Sequence, residues 1–228
     1  MDDSFLTLRS VGRAEIKVLG SRFLAVASPL ASPLASPLAS PLALPLAVPP
    51  ASAPPLPVAG RGEAEELLER VRKEHFAASH HCYAWRLGKN GAEFRASDGG
   101  EPSGSAGKPI LAALEHGGWT DAMVIVTRYF GGTKLGIGGL VRSYGEAASA
   151  ALLAAGTKEV IEVERICLAI PHQQEGVIRH AAGKCGARVI EATYDDLAHL
   201  TLEVRRSLAS GLRADVVERT SGRAVFVS

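Results

Sequence analysis

The segment Val124–Gly139 reads Val-Ile-Val-Thr-Arg-Tyr-Phe-Gly-Gly-Thr-Lys-Leu-Gly-Ile-Gly-Gly, and three kinds of local structure follow one another around it. Its apolar beginning has the composition of a buried strand, which we predict over Met123–Thr127. A glycine-rich loop comes next. A helix is then predicted over Leu140–Ala155, and Gly156 stands just past its end, where glycine commonly closes a helix. The segment therefore predicts a strand–loop–helix unit.

The glycine-rich loop has the properties of an anion site. Glycine tolerates the positive φ angles that turn backbone N–H groups outward at the start of a helix. A helix N-terminus carries about half a positive charge, which attracts phosphate and other anions. Arg128, Lys134 and Arg142 add full positive charges on both sides of the loop. The alternative interpretation is that the glycines serve only as a tight connection between strand and helix.

A second glycine-rich loop, Gly99–Gly107, precedes another predicted helix, Lys108–His116. If the two helices pack on one sheet with their N-termini close together, the two loops line one cleft. Hydroxyl groups of Ser103, Ser105 and Thr133 would then donate hydrogen bonds to a phosphate. The candidate residues for binding nucleic acid or another anion are Ser103, Gly104, Ser105, Lys108, Arg128, Tyr129, Gly131, Gly132, Lys134, Gly136, Gly138, Gly139 and Arg142.

Tyr129 and Phe130 offer flat rings on which a nucleobase could stack, as bases do in proteins that bind single strands. Neighbouring residues at the end of a strand point to opposite faces, so only one of the two rings can face outward. We expect Tyr129 to be the exposed ring. The alternative places Phe130 in the core with Tyr129 covering it.

Other polar groups give weaker signals. Asp98 and Glu101 are a possible acid–base or metal pair, but such residues more often form turns or interact with a helix dipole. His80, His81 and Cys82 are adjacent, so His80 and Cys82 share one face of a strand and His81 lies on the other. A second pair of ligands at zinc-binding spacing is missing from the sequence. We therefore assign no catalytic residue, no metal ligand and no cofactor.

Length and composition bound the remaining possibilities. The 228 residues are enough for one large or two small domains, and a formal net charge of +1 excludes a general polycation. Three cysteines at unrelated spacings indicate a reducing compartment, the cytoplasm. We expect no membrane association, because the apolar stretch Ala25–Ala59 is interrupted by prolines every few residues and the beginning of the chain lacks a basic signal-peptide region.

The chain is predicted to contain two domains, residues 1–157 and residues 158–228. Low-complexity Ala-Ser-Pro-Leu repeats between about residues 27 and 62 predict an inserted loop in polyproline II or disordered conformation. The first domain is also expected to contain strand-like segments at Phe5–Leu8 and Ile16–Val26, the second with a short break near Gly20-Ser21. A helix is expected at Glu63–His75, followed by a hairpin of His81–Leu87 with Glu93–Ala96 that turns at Asn90-Gly91. The expected elements of the second domain are strand Val160–Ile170, helix Gln173–Cys185, strands Arg188–Thr193 and His199–Val204, helix Ser207–Arg219 and strand Ala224–Val227. This β-α-β-β-α-β order is typical of a ferredoxin-like unit.

Two long motifs make the chain resemble the YigZ/Impact family. They are Arg-Tyr-Phe-Gly-Gly-x-x-Leu-Gly-x-Gly-Gly-Leu, beginning at Arg128, and Gly-Glu-Pro-x-Gly-x-Ala-Gly-x-Pro, beginning at Gly100. His80–Trp85 is also similar to a strand of that family. The family usually carries two adjacent acids before the second motif, whereas here the second acid is replaced by Gly99. The resemblance implies an α+β protein whose first domain is like ribosomal protein S5 domain 2 and whose second domain is ferredoxin-like, as in the last two domains of elongation factor G.

The resemblance also implies a function in translation. Our first hypothesis is a non-enzymatic regulator that binds RNA or the ribosome through the basic glycine-rich cleft. The second is an enzyme that uses the same cleft for a nucleotide or a small phosphorylated substrate. The third is an adaptor whose C-terminal domain docks a protein partner, which agrees with the equal numbers of basic and acidic residues in that domain.

Overall fold

A computed structural model describes residues 3–30 and 59–227 of the chain. The described residues form two compact units, divided between Val160 and Ile161. The first contains residues 5–160, and the second contains residues 161–227 together with residues 3–4. The protein is of the mixed α+β type in both units. Along the described part of the chain, no helix is long and apolar enough to cross a membrane.

A five-stranded antiparallel sheet is the centre of the first unit. Its strands are β2 (Gly12–Val18), β3 (Ser21–Pro29), β4 (His80–Leu87), β5 (Glu93–Ser97) and β6 (Ala122–Tyr129), in the spatial order β2-β3-β6-β4-β5. Outside this sheet, β1 (Ser4–Leu8) pairs with β7 (Thr157–Ile161). A short 3₁₀ turn at Lys89–Gly91, in which Asn90 has a φ of 56°, joins β4 to β5. The predicted Asn-Gly hairpin is therefore confirmed.

Helices cover both faces of this sheet. The helices are α1 (Ala59–Glu74), α2 (Gly107–His116) and α3 (Gly136–Ala155). Helices α2 and α3 share a buried core with one sheet face, which includes Phe23, Val124 and Val126. On the opposite face, α1 packs against residues that include Trp85 and Ile125. The central strand β6 is thus buried from both sides, which explains why its sequence is continuously apolar and does not alternate.

Strand β6 is longer than the sequence predicts, and this positions the site. It continues past Thr127 to Tyr129, pairing with β3 as far as Tyr129 and with β4 as far as Arg128. Side chains alternate along a strand, so Arg128 points to the face covered by α2 and α3 while Tyr129 points to the face of α1. The Arg128 side chain is therefore buried on the face that α2 and α3 cover.

Helix α3 begins at Gly136, four residues before the predicted start at Leu140. The prediction was wrong because glycine has a low helix propensity, which we took as a sign of loop. A first turn is tolerant of glycine, since its N–H groups need no partner within the helix. Helix α3 packs closely on β2. A Cβ added at Gly12, in β2, would lie only 2.1 Å from the carbonyl oxygen of Ala151 in α3.

The predicted low-complexity insertion is shorter at both ends than expected. Strand β3 continues through Pro29, and α1 already begins at Ala59, so residues 27–29 and 59–62 belong to regular structure. Pro29 occupies the last position of its strand, where a missing N–H donor costs least. Leu30 follows in the core beside α1, with its N–H donated to the carbonyl of Asp121 at 2.8 Å. The rest of the predicted insertion, residues 31–58, lies outside the described residues.

The second unit has the predicted β-α-β-β-α-β order. Its elements are β8 (Val163–Ile170), α4 (Glu175–Lys184), β9 (Arg188–Tyr194), β10 (Ala198–Arg205), α5 (Arg206–Arg219) and β11 (Val225–Val227). The strands form an antiparallel sheet in the order β11-β8-β10-β9. Both helices pack on one face of the sheet through residues that include Ile178 and Leu212.

The single strand predicted at Val160–Ile170 is instead two strands, β7 and β8, separated at Glu162. Glu162 is buried, and its N–H donates to the carbonyl oxygen of Asp3 at 2.6 Å. The Asp3 carboxylate accepts the backbone N–H of Ser207 at 3.0 Å and also the Ser207 hydroxyl. Ser207 lies in the first turn of α5, so Asp3 caps a helix 204 residues further along the chain.

Candidate anion-binding cleft

A cleft of about 240 Å³ lies beside the end of β6 and the start of α3. Both predicted glycine-rich loops contribute to it, the first through Glu101 and Pro102 and the second through residues 134–137. Its lining consists of Glu101, Pro102, Arg128, Phe130, Lys134, Leu135, Gly136, Ile137 and Leu140. The two loops therefore meet at one cleft whose walls are largely apolar and whose polar groups are Glu101, Arg128 and Lys134.

A buried ion pair joins the first glycine-rich loop to the end of β6. Arg128 donates from Nη1 to Oε1 of Glu101 at 2.7 Å, and only 6% and 3% of these side chains are exposed. The hydroxyl of Tyr144, on α3, donates to the same carboxylate oxygen at 2.8 Å. Burial first of all, together with the neighbouring Cys82 and Glu101, raises the pKa of Tyr144, so it remains a neutral donor. The charge of Arg128 is thus compensated inside the protein.

The rest of the Arg128 guanidinium is held by weaker contacts. Nη2 donates to the Ser21 hydroxyl at 3.3 Å, and the group lies 5.4 Å from the ring centre of Phe23 and 5.5 Å from that of Phe130. Its Nε has no hydrogen-bond partner among the described residues. Arg128 therefore lines the cleft as a buried, largely fixed group, and the positive charge that it was predicted to supply beside the loop is paired with Glu101.

Phe130 forms a wall of the cleft and is 49% exposed. It stands one residue past the end of β6, and its N–H donates to the Ser79 hydroxyl at 3.2 Å. The alternative that placed Phe130 in the core is wrong, because Phe130 lies past the end of β6 and its side chain remains about half exposed.

Tyr129 does not line the cleft. Its hydroxyl lies 3.1 Å from Nδ1 of His75, and the Arg22 guanidinium lies 5.8 Å from its ring centre. These neighbours belong to the end of α1 and to the opposite face of the sheet. Tyr129 is half-buried there. The ring that the structure brings to the predicted anion site is Phe130.

The N-terminus of α3 opens at the rim of the cleft without a cap. No side chain in the described part of the chain hydrogen-bonds to its first N–H groups, and its first turn contains no acidic residue. Gly136 has a φ of 69° and open space where a side chain would stand. Arg142 reaches back along the helix, with Nη1 3.8 Å from the position of a Cβ on Gly138. Lys134 is exposed and lines the cleft directly.

The N-terminus of α2, by contrast, is already occupied by a carboxylate of the chain itself. Asp98 accepts the N–H groups of Gly104, Ala106 and Gly107 at 2.9, 2.9 and 2.8 Å. Burial alone would raise the pKa of Asp98, but these three hydrogen bonds outweigh it and lower the pKa. This confirms the view of Asp98 as a turn and helix-dipole residue.

The remaining predicted residues of the first loop lie outside the cleft. Ser105 is fully buried, and its hydroxyl donates to the Pro102 carbonyl at 2.6 Å. Ser103 and Lys108 are exposed but do not line the cleft. With Gly104 bound to Asp98, this loop offers the cleft a carboxylate and a proline in place of the expected phosphate donors.

Gly131 has a structural requirement for the absence of a side chain. A Cβ there would lie 1.9 Å from the carbonyl carbon of Gly20, in the turn between β2 and β3. The Gly131 N–H donates to the Ser21 hydroxyl at 3.2 Å. Gly132, with a φ of 87°, and Gly139 contribute to the turn and to the first turn of α3. These contacts indicate that Gly131 serves the tight connection between strand and helix. The N-terminus of α3 is then the part of the loop region that could bind an anion.

The histidine–cysteine cluster is arranged as predicted, with His80 and Cys82 on the face of the ion pair and His81 on the other. His80 Nδ1 lies 3.1 Å from the Gly99 carbonyl, and Cys82 donates to the Asp98 carbonyl at 2.9 Å. His81 contacts the Thr127 hydroxyl at 3.2 Å. Cys82 is fully buried, and burial raises its pKa to about 12, so it is not a nucleophile near neutral pH.

Most of the apolar lining, which includes Leu135, Ile137 and Leu140, is not predicted from the sequence. A signal was present, because positions 137 and 140 are three apart and fall on one face once α3 starts at Gly136. Glu101 was considered as an acid, but its pairing with Arg128 across 27 positions has no local signature.

Comparison with known proteins gives consistent results along the chain. The model of the Impact N-terminal domain matches residues 53–152, and the model of a domain of unknown function, DUF1949, matches residues 168–223. The IMPACT family member YigZ of Escherichia coli (strain K12) is 33% identical over 161 residues, which cover 70% of this chain and 79% of that protein.

Other relatives agree with this match. The IMPACT family member YvyE of Bacillus subtilis (strain 168) is 42% identical over 115 residues, which span about half of each protein (50% and 51%). A solved structure described as the crystal structure of an hypothetical protein superimposes with a TM-score of 0.62 and 26% sequence identity. The superposition covers 100% of this chain and 98% of that one.

Proposed function

Because this chain belongs to the IMPACT family, we propose that it is a non-enzymatic regulator associated with translation that binds RNA or the ribosome through the cleft. The uncapped N-terminus of α3 is the observation that supports this proposal most directly. It combines the partial positive charge of a 20-residue helix with Lys134 and Arg142. The compensated Arg128 adds little net charge to this arrangement.

The topology of the two units supports a place in translation. We propose that the first unit is like ribosomal protein S5 domain 2 and that the second is ferredoxin-like. The sheet order β11-β8-β10-β9 places the fourth, first, third and second strands of the unit side by side, as the split βαβ arrangement requires. We also propose a cytoplasmic location, which suits three free cysteines.

Co-sedimentation with ribosomes and with total RNA at two salt concentrations tests the function. The variant Lys134→Ala/Arg142→Ala removes the two exposed charges beside α3. The control Arg70→Ala/Lys73→Ala removes two exposed charges from α1, on the opposite face of the sheet. Phosphate contacts release counterions, so binding should weaken with salt, and the cleft variant should bind more weakly and with a shallower salt dependence than the control.

Two results would overturn this function. One is the absence of sedimentation with either ribosomes or RNA, even at low salt. The other is equal loss in the α1 control, which would mean that binding follows total charge and not the cleft.

An enzymatic role in the same cleft receives less support. Glu101 is the carboxylate of its lining, and that carboxylate is engaged by Arg128 and Tyr144. Asp98 is engaged by three backbone N–H groups. The described lining therefore presents no unengaged carboxylate for acid–base catalysis.

A protein partner of the C-terminal unit is a second candidate. Both helices of that unit pack on one sheet face, and the edge strand β11 carries Val225 and Val227, 59% and 51% exposed. Unpaired edge strands accept an added strand from a partner. Val225→Pro would block such pairing, whereas Val225→Thr would keep it. Equal partner capture by both variants would argue against an edge-strand contact.

A further inference from the structure

We propose that the cleft receives one unstacked nucleotide of single-stranded RNA, with its base on Phe130 and its phosphate at the N-terminus of α3. This inference rests on the proposed RNA-binding function and specifies what is bound. It excludes a duplex as the preferred ligand, because both the base and the phosphate must enter the same small cleft.

The size and lining of the cleft match a single nucleotide better than a bare anion. A volume of about 240 Å³ is near the lower limit of small-ligand pockets, which start at about 300 Å³. An inorganic anion needs polar donors on all sides, whereas Pro102, Leu135, Ile137 and Leu140 present apolar walls. A ligand with both a flat apolar part and a charged part satisfies this lining.

Phe130 supplies the surface for the flat part. The ring lines the cleft and is 49% exposed, so one of its surfaces is open to a ligand. The Arg128 guanidinium lies 5.5 Å from the ring centre, where it fixes the ring through a cation–π contact. Aromatic rings held in this way serve as stacking platforms in proteins that bind single strands, and they accept any base because every base has a π face.

The charged part has two independent sets of donors. The first turn of α3 carries uncapped N–H groups, and Gly136 lets a phosphate approach the backbone closely. Lys134 provides a full charge beside that turn. Arg128, which is 5% exposed and lines the cleft, keeps an Nε without a partner among the described residues. A buried donor without a partner is unusual in a folded protein and is consistent with a missing acceptor.

Calorimetric titration with four probes tests the proposal: an octauridylate, an RNA duplex of the same length, UMP and uridine. The octauridylate should bind at least tenfold more tightly than the duplex, and UMP more tightly than uridine. Phe130→Ala should weaken octauridylate binding by at least about fivefold, which corresponds to the lower end of the stacking contribution. Phe76→Ala is the matched control, since Phe76 is 86% exposed and lies just past α1.

A second variant separates the phosphate from the base. Lys134→Gln should reduce the affinity for UMP and octauridylate but leave uridine binding unchanged. Because Lys134 is exposed, this variant has no reason to misfold, and a thermal melt of each variant checks that the fold is retained.

The outcomes distinguish this inference from the broader function. Equal binding of octauridylate and duplex, or wild-type affinity in Phe130→Ala, would overturn the inference while RNA binding itself stands. Binding of UMP without either oligonucleotide would overturn the inference, because the cleft would then take a free nucleotide and not a segment of RNA. Binding of none of the four probes would also overturn the inference, whereas the broader function is overturned only if co-sedimentation with ribosomes and with total RNA fails as well.

Discussion

Glu101 and Arg128 lie 27 positions apart in the sequence and meet at 2.7 Å beneath the cleft, where both side chains are almost fully buried. The pair joins the first glycine-rich loop to the end of the central strand. Together with the Tyr144 hydroxyl it also connects both to α3. Two of the residues that line the cleft are therefore held in place by one buried interaction.

Replacing Glu101 with alanine should strongly destabilise the first unit. The substitution leaves the Arg128 charge buried without its partner, which typically costs about 3–5 kcal/mol. Chemical denaturation followed by circular dichroism measures the change. The matched control is Glu93→Ala, which breaks the exposed pair with Arg61 at 2.7 Å and should cost less than about 1 kcal/mol. Similar losses in both variants would contradict a special role for the buried pair.

Replacing Asp98 with asparagine should cost about 0.5–1.5 kcal/mol, the usual contribution of one hydrogen bond, because the amide keeps one oxygen acceptor but loses the second acceptor and the charge. The folded-state pKa of Asp98 is lowered, so its stabilisation is complete above the unfolded value of about 3.9 and is lost as the pH falls through the folded value. The difference in denaturation midpoint between wild type and variant should stay constant from about pH 7 to 5 and narrow below about pH 4. A difference that persists at lower pH would contradict this account.

Gly131→Ala should be clearly destabilising, by about 1–3 kcal/mol as expected for overpacking, because its Cβ would collide with the backbone of Gly20. Gly138→Ala is the comparison within the same motif. Gly138 lies in the first turn of α3, and a Cβ there would make only an ordinary contact with the flexible end of Arg142 at 3.8 Å, so alanine should be neutral or stabilising by up to about 1 kcal/mol. Thermal melts of the two variants should therefore shift in different directions or by very different amounts.

Cys82 should resist alkylation in the folded protein. Its side chain is fully buried and burial raises its pKa to about 12, so the reactive thiolate is scarce even at pH 9. Cys167 and Cys185 are only half-buried and should react first. Peptide mapping after treatment with iodoacetamide, with and without denaturant, measures the order. Rapid modification of Cys82 in the native state would show that the sheet opens near the ion pair.

The order of elements could be predicted from the sequence because their signals are local. The Asn-Gly turn between β4 and β5 and the glycine after Ala155 both depend on a few neighbouring residues. The limits of α3 and of β7 and β8 were missed for a different reason. They depend on tertiary packing against β2 and on the buried Glu162, which local propensity does not describe.

The candidate site was only partly predictable. The charges of Lys134 and the glycines of α3 were recognised from composition and spacing, and the cleft includes both Lys134 and Gly136. The availability of each group was not predictable. Arg128 is neutralised by Glu101, and the N-terminus of α2 is filled by Asp98, through contacts that join separate parts of the chain. The two glycine-rich loops therefore have similar compositions but differ in whether the following helix N-terminus is free to bind an anion. The N-terminus of α2 is occupied by the Asp98 carboxylate, whereas the first turn of α3 contains no acidic residue.

The Asp3 cap on α5 has a consequence for how the protein can be divided. A fragment that starts at residue 158 would contain every strand and helix of the β-α-β-β-α-β unit but would lack the carboxylate that accepts the Ser207 N–H. It would also lose the Asp3 carbonyl that accepts the Glu162 N–H. The second unit is thus not encoded by one continuous stretch of sequence. During synthesis Asp3 is made long before its partners Glu162 and Ser207, so these contacts can form only late.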